Sequence, residues 1–305
     1  MHISITGDLG SGKSTVGKLL RSHFNYTFIS TGQIQRELGQ KYGMNTLEFN
    51  QYTDHNIDID HYIDDHLKQI DKGHIPHILD SRLAWFFVPS SFKVYLLCFE
   101  EIAASRIIRD DSRVGEPDAD SVKQKIKDSN LRRKIENVRF EKNYGAIFSI
   151  VKNFDLVLDT SFLTIEQVSK AIISSYTKWK AKNDYSNFLL APRRIYPLKD
   201  IRFIASDEAK NIKKHISEFG YNYEFPVQLL EKENFFYMYD GHKRLGASMY
   251  CNLPIIPSSI IASDKDKMLS NEFTAEKYIK NSFSLNQCYD WEDAHSFKYY
   301  NYPKL

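Results

Sequence analysis

Cysteine is scarce in this sequence: among 305 residues there are three, Cys98, Cys251 and Cys288, with no CxxC pair among them. That spacing excludes a disulfide framework and a zinc ribbon, and an odd, sparse set reads as thiols in a reducing compartment. His74 and His77 have no further histidine or cysteine at ligand spacing, so no metal-binding cluster is expected. No stretch approaches the ~18 consecutive apolar residues of a membrane span. The opening MHISITGDLG carries no charged segment followed by an apolar one and does not read as a secretion signal. The expectation is a cytoplasmic protein without a membrane partner. Charge of one sign is also lacking. Lys and Arg number 41 against 39 Asp and Glu, a net +2, which argues against a strongly basic nucleic-acid binder. There is no internal repeat and no low-complexity tract.

What is present suits ordinary packed cores: 42% apolar and 26% charged residues over a length comfortable for two domains. Short apolar, β-rich runs stand at 2–6 (HISIT), 27–30 (TFIS), 77–80 (HILD), 92–99 (FKVYLLCF) and 156–159 (LVLD). Helices are expected between them, at 13–22, 32–42, 46–54, 58–72, 101–111 and 121–144, with a last one at 165–182. Strands alternating with helices predict an α/β domain over 1–182, its parallel sheet covered on both faces. Residues 183–190 read as a polar linker. A smaller α+β domain is expected over 191–265, and 266–305 is a polar, aromatic C-terminal extension.

Gly7-Asp8-Leu9-Gly10-Ser11-Gly12-Lys13-Ser14, followed by Thr15, matches G-x-x-x-x-G-K-[ST] in full, between an expected strand and an expected helix. Glycines at these positions let the backbone turn tightly and aim its N–H groups inward. Those donors and the positive end of the next helix cradle phosphates. Lys13 reaches the outer phosphates and Ser14 offers a hydroxyl to magnesium. The magnesium needs a carboxylate as well, and Asp80 at the end of the HILD run is the candidate. The pattern predicts ATP and Mg2+ as the ligands of the first domain.

From this loop onward the residues resemble the cytidylate kinases of the short archaeal and bacterial type. The resemblance covers about 1–175, in the blocks GDLGSGKSTVGKLL, ISTGQIQREL, YGMNTLEFNQY, NIDIDHYIDDHL and ILDSRLAWF. It implies a P-loop nucleoside-monophosphate-kinase-like fold and transfer of the γ-phosphoryl group to a CMP- or dCMP-like nucleotide. The family's Ser-x-Gly-x-x-x-Arg loop appears as Ser30 to Arg36, so Arg36 is implied to grip the acceptor phosphate. Gly-Arg-Leu-Ala appears as Ser81-Arg82-Leu83-Ala84, making Arg82 a second grip. Two planar, permanently charged forks suit a phosphate and suppress its repulsion of the incoming group. Asp60 lies in a block resembling an acidic family segment, either at the acceptor's base or sugar or on a solvated face. Arg106, Arg109 and Arg113 share a helix face. They are candidates for a lid over the transferred charge, with Arg109 and Arg113 as catalytic arginines and Arg132, Arg133 and Arg139 completing the clamp. The family's Tyr-Gly-Ile-Asp appears as Tyr144-Gly145-Ala146-Ile147, without the acid. Phosphate transfer survives that change; cytosine specificity stays open.

Residues 190–263 resemble the ParB N-terminal/sulfiredoxin-like fold, centred on Asp240-Gly241-His242-Lys243-Arg244. The resemblance implies a phosphate site at this turn, formed by Asp240, Gly241, His242 and Arg244. Three further readings follow. The acceptor is a modified pyrimidine such as a hydroxymethyl base in DNA, with the second domain holding the nucleic acid. The chain is a nucleotide-gated regulatory module. The second domain is a serine kinase with Glu224 or Asp240 as base.

Overall fold

The computed structural model describes residues 1–53, 57–110, 121–204, 206–264, 266–267 and 274–303; the side chains at 50, 53, 57–63 and 203–204 lie outside that description. The chain divides into two compact units, Met1–Asp184 and Tyr185–Leu305.

Unit 1 is built on five strands: β1 (Ile3–Gly7), β2 (Thr27–Ser30), β3 (His77–Asp80), β4 (Phe92–Leu97) and β5 (Leu156–Asp159), in the order β2-β3-β1-β4-β5. Every neighbouring pair is parallel, and Ile5 of β1 stands between Asp80 and Val94. β1 and β5 are buried along their whole length. Continuous apolar runs of this kind are covered on both faces, which is the condition of a parallel sheet. The helices are α1 (Lys13–Phe24), α2 (Thr31–Lys41), α3 (Thr46–Thr53), α4 (Ile57–Lys72), α5 (Ala84–Phe87), α6 (Glu100–Ile108), α7 (Val122–Tyr144) and α8 (Ile165–Lys180). Their starts are written locally. Ser30 accepts from the Gln33 N–H at the head of α2, and Thr164 with Gln167 forms a capping box on α8. α7 ends at Gly145, which takes the left-handed φ of 66° that stops a helix. The runs at 27–30, 77–80 and 156–159 form strands at those bounds. β4 stops at Leu97, two residues before its apolar run does. One-turn α5 was not foreseen, because four residues (AWFF) display no helical period.

Unit 2 holds β6 (Phe188–Leu190), β7 (Ile195–Tyr196), β8 (Val227–Lys232), β9 (Phe235–Asp240) and β10 (Ile256–Ser263), in the order β6-β10-β8-β9-β7. β8 and β9 form an antiparallel hairpin whose turn residues, Glu233 and Asn234, both have positive φ, at 53° and 63°. Among the described residues, α9 (Asp207–Phe219), α10 (His242–Tyr250), α11 (Ala275–Ser282) and α12 (Leu285–His295) accompany the strands. Buried β6 lies inside the stretch whose polarity reads as linker. Within 274–303, Trp291 is fully buried in unit 2 with its indole N–H on the Lys199 carbonyl, 3.1 Å. Buried Glu292 there accepts from the Tyr299 N–H and the Tyr302 hydroxyl.

Candidate active site

The site begins where β1 ends. Gly7 has φ 137°, and a Cβ there would lie 2.2 Å from the Leu96 carbonyl oxygen, so only glycine lets the loop leave the sheet at this point. Ser11 closes a turn onto the Asp8 carbonyl through both its N–H and its hydroxyl. Gly12, at φ 90°, caps α1 without a side-chain cap hydrogen bond. Amides at a helix start are donors for an anion. The Lys13 ammonium donates to the Gly7 and Asp8 carbonyls at 3.1 and 2.5 Å. The Asp8 carboxylate turns the other way, accepting from the Tyr95 hydroxyl, the Cys98 N–H and the Arg133 guanidinium.

β3 carries Asp80 to the same edge. Its Oδ2 accepts from the Ser14 hydroxyl at 2.5 Å and from the Ser30 hydroxyl at 2.9 Å, and the residue is 6% exposed. The turn after it is fixed by the Thr6 hydroxyl on the Ser81 carbonyl, 2.7 Å. Ser14 and Asp80, the pair expected at magnesium, therefore meet across 66 residues. A carboxylate and a hydroxyl are hard oxygen donors, and this donor set fits Mg2+ rather than a softer ion.

A cleft of about 70 Å3 runs from this point to α2, α4 and α7. It is lined by Leu9, Lys13, Ser14, Ser30, Arg36, Asp80, Arg82 and Arg132 and, unforeseen, by Asp64 and Phe140. Ligands of this kind occupy the crevice beyond the carboxyl ends of parallel strands. Arg82 donates through Nη1 to the Gly7 carbonyl and through Nε to Glu136 Oε2 at 2.9 Å, with its guanidinium 5.1 Å from the Phe148 ring centroid. Arg132 donates through Nε to Glu136 Oε1 at 2.8 Å. Glu136 is 1% exposed. Burial pushes its pKa up, but Arg82, Arg132 and Arg139 outweigh burial and hold it at about 2. Farther along the cleft the Tyr144 hydroxyl donates to buried Asp64. The spacing Arg132-x-x-x-Glu136-x-x-Arg139 puts the three residues on one helix face and was the available signal for Glu136. Asp64 had none.

Several expected site residues do not line the cleft. Arg139 is buried behind the cleft wall, its guanidinium 5.1 Å from the Phe140 ring centroid. Gly10 and Ser11 are buried in the loop, and Thr15 is exposed on α1. Arg109, expected over the transferred group, is instead the exposed C-cap of α6 and does not line the cleft. Arg106 is braced on the Thr160 and Ser161 carbonyls at 2.8 and 3.2 Å. Arg113 and the Asp60 side chain lie outside the described residues.

In unit 2, β9 ends at Asp240 and Gly241, at φ 107°, starts α10. Arg244 donates to the Phe225 and Pro226 carbonyls and to Asp240. His242 departs from its expected place at a phosphate. It is 2% exposed, accepts from the Leu198 N–H at 3.4 Å and packs edge-on to Trp291. Burial, assisted by the Lys199 charge, pushes it down to about 3, so the ring is neutral. A helix-start histidine reads as a ligand only until its burial is known.

A family profile described as an AAA domain matches residues 3–128. A cytidylate kinase of Sulfurisphaera tokodaii is 34% identical over 193 residues, covering 63% of this chain and 98% of that protein. One of Archaeoglobus fulgidus is 30% identical over 185 residues, covering 60% of this chain and 99% of that protein. An S-adenosylmethionine-dependent nucleotide dehydratase of Lacinutrix mariniflava is 33% identical over 183 residues, 59% of this chain. This chain spans only 36% of that protein's length. With a phosphate loop, a hydroxyl–carboxylate pair and a cationic cleft on one parallel-sheet edge, and with two relatives matched over almost their whole length, the chain belongs through its N-terminal portion to the cytidylate kinase family of P-loop, ATP-dependent kinases.

Proposed function

We propose that unit 1 transfers the γ-phosphoryl group of ATP to the phosphate of a pyrimidine nucleoside monophosphate of the CMP or dCMP type. The observation that carries this reading is the meeting of Ser14, Asp80, Arg36 and Arg82 in one cleft beside the loop at 7–14. Backbone amides of the loop and Lys13 hold the donor phosphates. Ser14 and Asp80 are the residues for magnesium, which neutralises donor phosphate oxygens when bound. Arg36 and Arg82 hold the acceptor phosphate. An acceptor oxygen attacks the γ-phosphorus in line, the bond to the bridging β–γ oxygen breaks and ADP leaves. Fixed guanidinium groups stabilise the charge spread over the transferred oxygens without reorganising during the step. Arg132, on the cleft wall, takes the part expected of Arg109. The cleft is below the several hundred Å3 of a ligand-sized pocket, so its walls part as the acceptor enters. We also read the β9–Gly241–α10 turn of unit 2 as supporting a ParB-like module there.

The test is ATP turnover with Mg2+ and each nucleoside monophosphate in turn, with hydroxymethyl-pyrimidine DNA as a further acceptor. CMP and dCMP are expected to give the highest kcat/KM. Failure of every monophosphate to accelerate ADP release refutes the reading, and transfer to the DNA alone reassigns the acceptor.

A further inference from the structure

Arginine side chains are long, and a fork with no partner near its guanidinium does not hold one position; immobilising one costs roughly 2 kcal/mol of rotamer entropy. Arg82 leaves the turn after β3 and Arg132 stands on α7, yet both guanidinium groups converge on Glu136. Each receives one carboxylate oxygen, Oε2 for Arg82 and Oε1 for Arg132, and each is engaged through its Nε–H. Arg82 donates through Nη1 to the Gly7 carbonyl as well, so the two forks are held side by side along the cleft wall. Arg82 and Arg132 line the cleft, whereas Glu136 does not. With Arg139 near enough to lower the Glu136 pKa, three guanidinium groups surround one carboxylate. Their sum, three positive charges less one negative, is +2, the complement of a phosphate-monoester dianion. A carboxylate held at about 2 is also too weak a base to take a proton from an acceptor near neutral pH.

We propose that Glu136 is the positioning residue of the acceptor-phosphate grip: it fixes Arg82 and Arg132 in the cleft and touches neither donor nor acceptor. This rests on reading the cleft as the place of a phosphorylated acceptor. Removing the negative charge leaves half-buried Arg82 and buried Arg132 repelling one another, so the loss falls on the acceptor and spares the donor.

The test uses Glu136→Gln and Glu136→Asp in the full chain, with three readouts. These are the Kd for magnesium with a non-hydrolysable ATP analogue, the KM for CMP, and the affinity for inorganic phosphate on protein presaturated with that analogue. Glu136→Gln is expected to raise the CMP KM and weaken phosphate binding by about tenfold or more, about 1.4 kcal/mol, with the donor Kd within about twofold of wild type. Glu136→Asp keeps the charge but withdraws it by one methylene, and an intermediate rise of about threefold is expected. Should Glu136→Gln fail to fold, the same split in Glu136→Asp decides. Acceptor readouts within about twofold of wild type in the folded variant overturn the proposal. So does a parallel loss of donor and acceptor affinity with the melting temperature, which is what a merely structural residue gives. If wild-type protein phosphorylates no monophosphate, the proposed function fails, and the phosphate titration still decides on Glu136.

Discussion

Asp80→Asn separates the metal-binding part of the site from its scaffolding. In the structure one carboxylate oxygen accepts from two hydroxyls, Ser14 at 2.5 Å and Ser30 at 2.9 Å, at 6% exposure. An amide oxygen in the same place still accepts from both, so no buried hydroxyl is orphaned. What is lost is the charge assistance. Hydrogen bonds to an ionised group contribute roughly 1.5–3 kcal/mol and neutral ones roughly 0.5–1.5, so the change costs about 1 kcal/mol per bond and about 2 in all. For a unit of this size about 1 kcal/mol moves Tm by roughly 2–4 °C, giving a fall of about 4–8 °C. The functional loss is larger. Removing a fixed negative charge at a hard-cation site weakens the ion by roughly 10–100-fold. Half-saturating Mg2+ for ATP turnover therefore rises by that factor, while metal-free nucleotide binding to the loop, measured by calorimetry, changes little. Ser14→Ala in the same background shows non-additivity, because the two residues share one bond. A variant whose magnesium requirement stays at the wild-type value refutes the placement of the ion at Ser14 and Asp80.

Other outcomes follow from the same geometry. Gly7→Ala meets the Leu96 backbone at 2.2 Å as well as an unfavourable φ, whereas Gly145→Ala has a φ of 66° and nothing within 4 Å. The second costs about 1–2 kcal/mol and the first about 1–3 more for overpacking, a difference that urea titration reads directly; equal losses would show the loop can move away. Lys13→Met should lower kcat by roughly 10²–10³ with Tm almost unchanged, and an active variant would remove the lysine from the mechanism. His242 sits at about 3 against an ordinary 6.5, so the unfolded chain takes its proton first. Its stabilisation is whole above pH 6.5 and is lost as pH falls towards 3, at about 1.4 kcal/mol per pH unit. Between pH 6.5 and 4.5 Glu136, with an ordinary value of 4.5 and a folded one of about 2, contributes no slope. There His242→Gln should flatten the stability profile, though not abolish it, since burial lowers His295 too; an unchanged profile refutes the burial argument.

The phosphate loop was legible because its chemistry is contiguous: backbone turns, a lysine and a hydroxyl within eight residues make the site wherever a strand precedes and a helix follows. The strands of unit 1 were legible for a related reason, since apolar runs of four to eight residues bounded by polar turns have few other places to go. What no local pattern carries is convergence. Asp8 meets Arg133 across 125 residues, Tyr144 meets Asp64 across 80, and Arg82 meets Glu136 across 54. Each partner alone reads as a solvated charge. Which arginine of α7 faces the loop, which the cleft and which the protein interior depends on how that helix is rotated against its neighbours. Burial took His242 out of its expected phosphate site in the same way. The sequence alone therefore determined the backbone that cradles phosphate and the sheet that presents it. Tertiary packing decided which charges surround that cradle, because a charge acquires its partner, its pKa and its direction only when distant segments are brought within a few ångströms.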